Sequence, residues 1–213
     1  MRIIRSISLA LIFLLLFSSS SKADSIPNKM HLSLQLSPLA LIDFYNGSSY
    51  RIGSQLVITE NIAISADFGG YFKNFNYLKN NKGFYSFVAF KYRLPNSPQS
   101  WISLSYSYKQ QSFNYHDSFE QDPNTPVVVH VQKYVNCLNL NYETNAILFR
   151  KSYINFFAGV GIRFRNVQSL QTKHEFDELK DGGDSQTLYF VLIPGKNTWL
   201  NLNAGIRLGF YLF

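Results

Sequence analysis

The chain is short of cysteine, of charge and of long apolar runs. Its one cysteine, Cys137, has no second thiol to pair with, so no internal disulfide holds the fold. Charged residues reach only 15%, against roughly 25% in ordinary soluble domains. Beyond Ala23 no stretch offers the ~20 apolar residues that a membrane-spanning helix needs, which excludes a helical inner-membrane protein. There is no phosphate-binding glycine loop and no Cys/His spacing of a zinc site, so no cofactor is expected. The basic excess is mild. Removing Arg2, Arg5 and Lys22 with an N-terminal leader takes the net charge from +7 to +4. With no basic stripe and no Arg-rich helix, nucleic acid is not an expected partner.

What the chain has in quantity is aromatic residues, 16% in all, with 14 Tyr and 19 Phe. Residues 1–23 read as a secretory signal peptide. Arg2 and Arg5 form its positive start, Leu9 to Phe17 its apolar run, and Ser21-Lys-Ala23 its cleavage site. No cysteine near that site could carry a lipid anchor. Residues 24–213 are then one domain.

The last stretch, from Lys196 to Phe213, has period two. Leu200, Leu202, Ala204, Ile206, Leu208, Phe210 and Leu212 share one face; Trp199, Asn201, Asn203, Gly205, Arg207, Gly209 and Tyr211 share the other. A strand sends alternate side chains to opposite faces, so one face is wholly apolar and the other polar and glycine-rich. The same alternation predicts seven earlier strands: Met30–Ser37, Tyr50–Ile58, Ile62–Phe72, Phe84–Leu94, Trp101–Gln110, Val127–Tyr142 and Ile154–Val167. The phase of the sixth is ambiguous before Val135. Polar segments separate them: Pro38–Ser48 with Asn46-Gly47, Thr59–Asn61, Lys73–Lys82, Pro95–Gln99, an acidic loop over 114–125, Glu143–Ser152, and a long loop over 168–194 in which Thr187–Ile193 reads as extended. Short turns follow strands two, four and six, and longer loops follow three, five and seven. An even strand count with alternating connection lengths is the pattern of a barrel whose ends both lie in the periplasm. The expected fold is all-β: an eight-stranded antiparallel up-and-down transmembrane barrel, apolar face to lipid. A soluble lipid-binding barrel would invert every one of these faces.

Two resemblances point the same way. Asn203, Gly205, Leu208, Phe210 and the terminal Phe213 resemble the C-terminal insertion signal of bacterial outer-membrane barrels. Leu36-Ser-Pro-Leu-Ala-Leu-Ile-Asp43, Tyr45-Asn-Gly47, Tyr50-Arg-Ile-Gly53 and Ala204-Gly-Ile-Arg-Leu-Gly-Phe-Tyr211 resemble the small outer-membrane barrels of the OmpA and OmpX type, and more closely a poorly characterised family of Bacteroidota barrels. The resemblance implies fold and an outer-membrane location, and little chemistry. Its implied partners are outer-membrane lipid, lipopolysaccharide and the barrel assembly machinery, with the protein a monomer.

Residues facing the lumen are unusually basic. Arg51, Lys91, Arg93, Lys109, Arg163, Arg165 and Arg207 stand against Asp67 and Glu143. Buried charge is costly unless paired, so a plug of paired polar groups is expected, with Asp67 one acidic partner; an anion site near the rim is the sharper alternative. His31 and Ser33 share a face in the relation used by lipid A deacylases, but both point to the lumen, away from lipid. His116, Asp117, Glu120 and Asp122, and His174, Glu175, Asp177 and Glu178, group in two loops without calcium-loop spacing. No catalytic or metal site is expected, and the function expected is structural or surface contact through the external loops.

Overall fold

A computed structural model describes residues 31–42, 49–73, 79–119, 122–149, 151–169 and 194–212, without the side chains of 41, 42, 115–119 and 122–127. The expected signal peptide, Asn46-Gly47, the 187–193 segment, Phe213, and all eight residues of the two acidic loops except the backbones of His116, Asp117 and Asp122 lie outside them.

Eight strands form one antiparallel up-and-down sheet: β1 His31–Leu36, β2 Ser49–Thr59, β3 Ile62–Tyr71, β4 Lys79–Leu94, β5 Ser97–Phe119, β6 Asp122–Phe149, β7 Ser152–Ser169 and β8 Gly195–Tyr211. Each pairs with the next, and β1 pairs with β8, so the sheet closes on itself as a barrel. The seam is short. Ladder pairs join β1 and β8 only from Ser33–Tyr211 to Leu36–Leu208, whereas β7 and β8 stay paired from Ser152–Phe210 to Val167–Gly195. Past Leu36 the chain leaves the ladder. Ser37 N–H still donates to Arg51 O at 3.2 Å, and a 3-10 turn, Pro38–Ile42, follows.

Connections of two residues end the β2–β3, β4–β5 and β6–β7 hairpins, at 60–61, 95–96 and 150–151. At the first, Thr59 Oγ1 accepts from the backbone N–H groups of Asn61 and Ile62 at 3.3 and 3.1 Å, a local bond that Thr at a turn supplies. These three turns share one end of the barrel, the turn end. The opposite, loop end carries the remaining connections.

Several strands run further than the sequence suggests. β4 begins at Lys79, inside the expected 73–82 loop. The polar run is carried into the sheet through a register shift between Lys79 and Lys82, with Asn80 at φ 51° and Gly83 at φ 150°; Asn and Gly are the residues that tolerate such backbone. The expected 95–99 turn shrinks to two residues, because Ser97 already pairs with Leu94 across an irregular step. β6 likewise continues through the expected 143–152 turn to Phe149, and β7 begins at Ser152. The acidic 114–125 segment is not a loop. Tyr115 to Ser118 pair with Val129 to Pro126, and only residues 120–121 separate β5 from β6. The β-branched run Val127–Val129 supplies the strand preference that the polar partner strand lacks. Among the described residues neither β4 nor β7 pairs with this ribbon beyond Asn114 and Val131.

Which face is buried follows the alternation throughout. Ile52, Phe68, Val88, Phe90, Leu104, Leu140, Val160 and Ile162 are exposed on the outside, while Ser33, Gln55, Ser103, Ser105, Asn139 and Asn155 are buried within. Toward the loop end the inward face takes apolar residues as well as polar ones. Phe113, Val129, Val131, Val135 and Val167 are buried inside, and the outward positions become Gln110, Tyr134, Asn166 and Lys196, which the ladders place at one level. This settles the ambiguous start of the sixth strand: its valines at 129, 131 and 135 point inward. At the turn end Val57, Ala63 and Trp101 form a small apolar floor.

Gly83 combines a positive φ with contact, since a Cβ there would press on the Gln110 carbonyl; Gly195, at φ 117°, has open space around it. Gly83→Ala is expected to destabilise the barrel by about 1–3 kcal/mol, and by more than Gly195→Ala, in urea unfolding followed by circular dichroism.

Candidate functional site

The sheet brings four of the expected lumen charges together. Lys91 on β4, Glu143 on β6, Asp67 on β3 and Arg207 on β8 meet in the interior, all at most 6% exposed. Lys91 Nζ lies 2.6 Å from Glu143 Oε2, Arg207 Nε lies 3.2 Å from Asp67 Oδ2, and Arg207 Nη1 lies 3.6 Å from Glu143 Oε2. Two cations and two carboxylates cancel.

Neutral side chains complete the cluster. Ser103 donates to Glu143 Oε1 at 2.6 Å, and Lys91 also donates to Gln55 Oε1 at 2.8 Å. Gln35 links Gln55 to the Tyr153 hydroxyl, at 3.3 and 2.8 Å, and Ser33 meets that hydroxyl at 2.8 Å. Arg207 Nη1 donates to Asn155 at 3.2 Å, and Asn155 to Asn145 at 2.9 Å. Arg207 is also sandwiched, its guanidinium 4.7 Å from the Phe87 ring centre and 4.3 Å from that of Phe157. This is the paired polar plug that the cost of buried charge demands.

The seven cations do not form one cluster. Arg93 sits one layer toward the turns, stacked over Trp101 at 4.5 Å. Arg165 lies toward the loop end, 5.8 Å from the Trp199 ring centre. Arg51, Lys109 and Arg163 line a cavity of about 420 Å³ above the plug, with Arg207 and Asp67 in its floor. Arg51 and Lys109 both approach the Tyr85 ring, at 4.1 and 5.8 Å. Lys133, buried and inward on β6, escaped the sequence reading; counting back by twos from Cys137 would have found it. Tyr153 escaped it too, and the partners of the inward Gln35 and Gln55 appear only when β1, β2 and β7 are brought side by side.

His31 and Ser33 are both buried on the inward face of β1. The His31 ring meets Tyr211 edge-on at 5.1 Å, and Ser33 is engaged by Tyr153. Of the C-terminal pattern, Asn203 and Gly205 face inward and Phe210 outward, with Leu208 on the same side as Phe210. Gly205 and Gly209 make room for the rings of Phe157 and Tyr153, which lie across them from β7.

Comparison with protein-family models, with curated proteins and with solved structures found no match. The geometry above is therefore what a functional reading rests on.

Glu143→Gln removes the charge that both Lys91 and Arg207 face. It is expected to cost about 3–5 kcal/mol, the usual penalty for stranding a buried ion. The double variant Lys91→Met/Glu143→Leu should cost clearly less than the sum of its single changes, in a denaturant-unfolding mutant cycle.

Proposed function

We propose that this protein is a monomeric outer-membrane β-barrel with a structural or surface-contact role and no catalysis, its turn end toward the periplasm. The observation that carries this reading is the inverted wall: apolar side chains exposed around the outside, charged and amide side chains buried within. In water that arrangement would leave a continuous apolar surface far beyond the few hundred Å² a soluble monomer tolerates. In lipid it is the required one, since only closed sheets and helices satisfy every backbone group there.

The height of the band agrees. On β7 the outward apolar positions run from Ile154 to Phe164. Ten steps of ~3.3 Å, tilted by about 40°, span about 25 Å, the height of a barrel's lipid-facing band. Tyrosines edge it. The hydroxyl of Tyr106 donates to Asn136 at 2.5 Å and that of Tyr134 to Gln132 at 3.3 Å near the loop end, while Tyr142 meets Ser100 at 2.9 Å near the turns. Aromatic rings with polar tips suit the two interfaces. Above the Gln110 level the wall reverts to the polar-outside pattern of a protein in water.

The signal-peptide reading of residues 1–23 and the C-terminal pattern support the same location, and the likeness to OmpA-type and Bacteroidota barrels belongs to this proposal. Outer-membrane lipid, lipopolysaccharide and the barrel assembly machinery are the partners it implies. The β5–β6 ribbon and the connections of the loop end are the surface it offers outside the cell. Two other readings fit the geometry less well. A lipid A-modifying enzyme would need its His and Ser open to the lipid side, whereas His31 and Ser33 face inward. A periplasmic lipid-binding barrel would need its apolar face inside.

Heat-modifiability tests the proposal. The protein is expected in the outer-membrane fraction, with a gel band that shifts between unboiled and boiled samples. A soluble periplasmic protein without a shift would refute it.

A further inference from the structure

The charges of the plug cancel, but one buried cation stands outside it. Arg93 on β4 is 7% exposed, and its guanidinium forms no ion pair or hydrogen bond with a described residue. It lies over the Trp101 ring, 4.5 Å from the ring centre. Stacking occupies the face of a guanidinium and leaves its N–H donors, which lie in the plane, unused. Arg207 shows the difference. It too is stacked, on Phe87 and Phe157, but its in-plane donors reach Asp67 and Asn155. For Arg93 the same donors find no acceptor among the described residues.

A second buried donor sits beside it. Trp101 is the ladder partner of Arg93 on β5, 2% exposed, and its indole N–H has no acceptor either. Buried polar groups are nearly always hydrogen-bonded, and an unpaired buried charge is costlier still. Two adjacent donors without an acceptor therefore mark a place for one that the described residues do not supply. The nearby carboxylates are engaged or turned away. Glu143, across the β5–β6 ladder from Trp101, is held by Lys91, Arg207 and Ser103. Glu60, on the β2–β3 turn, is exposed and forms no ion pair with Arg93. Arg93 stands close to the 95–96 turn, in the layer where Val57, Ala63 and Trp101 make the apolar floor. Of its guanidinium nitrogens only Nε is wholly enclosed, so the Nη edge is the accessible one. The plug fills the lumen on the other side, which leaves the turn end as the way in.

We propose that Arg93 and Trp101 form a binding site for a small oxyanion, a carboxylate or phosphate, that enters from the turn end. The guanidinium fork takes two oxygens of such an anion side by side. The indole face holds the fork in one orientation, and the indole N–H is a further donor beside it. The site depends on the closed sheet and not on the membrane reading. A protein that fails the heat-modifiability test therefore leaves this inference standing, and the two can fail separately.

Trp101 reports on its own site. The chain has two tryptophans, so Trp199→Phe leaves Trp101 as the only indole. The folded protein is titrated with sodium phosphate, and separately with sodium acetate, with sodium chloride holding the ionic strength constant. Trp101 emission should change along a saturating curve with at least one of the two anions, and whichever saturates assigns the oxyanion. Arg93→Gln in the same background should raise the half-saturating concentration about tenfold or more, the loss expected when charge-assisted hydrogen bonds are removed, with an unchanged circular dichroism spectrum. The protein with Arg93 intact gives a second reading that does not depend on the variant folding. The bound anion should slow the modification of Arg93 by phenylglyoxal, located by peptide mass spectrometry. No saturating change with either anion, a change that survives in Arg93→Gln, or an Arg93 whose modification neither anion slows overturns the proposal.

Discussion

One buried carboxylate holds the interior together. Glu143 faces Lys91, Arg207 and Ser103, so a single side chain on β6 ties β4, β8 and β5 across the lumen. A charge in such a place is tolerated only with its partners in position. The rest of the inward face is arranged to keep them there: Gln55 steadies Lys91, Asn155 and two aromatic rings steady Arg207, and Asp67 takes the remaining charge. Among the described residues the interior holds only small apolar clusters to specify its shape. Polar geometry inside does that work, and hydrogen bonds are directional where apolar contacts are not.

The alternation made the strands legible, and with them the inward placement of all seven cations and of Asp67; Glu143 fell at the start of an expected turn, and only the longer β6 fixes its inward face. A period of two says which face a residue takes, but not which strand will stand opposite. That Lys91 meets Glu143 depends on ladder registers that pair Lys91 with Ser103 and Ser103 with Asn141, and those registers follow from the lengths of the connections at 95–96 and 120–121. The expected turns there were several residues too long. Strand ends were misjudged where composition and structure part company. Lys79–Lys82 and the 114–119 segment are polar in composition yet lie within β4 and β5, so polarity there did not mark a loop.

Val129, Val131 and Phe113 are buried on the inward face, against the rule read from the rest of the chain. In the membrane reading proposed above, one strand crosses two environments, which accounts for apolar residues that change sides without any break in the backbone. A single rule of alternation can only be applied between the levels where the surroundings stay the same.

The short seam between β1 and β8 bears on how the barrel is made. Its four ladder pairs join the two ends of the described chain, whereas every other pair of strands is joined by a hairpin or a connecting segment. Contacts between distant parts of a chain are made late, because the loop entropy must be overcome before they contribute. The seven pairings between strands adjacent in the chain are therefore expected to form first, with closure last, over the fewest ladder pairs. It is also the pairing expected to part first when the barrel opens, so the wall has a built-in line of parting along Ser33–Leu36.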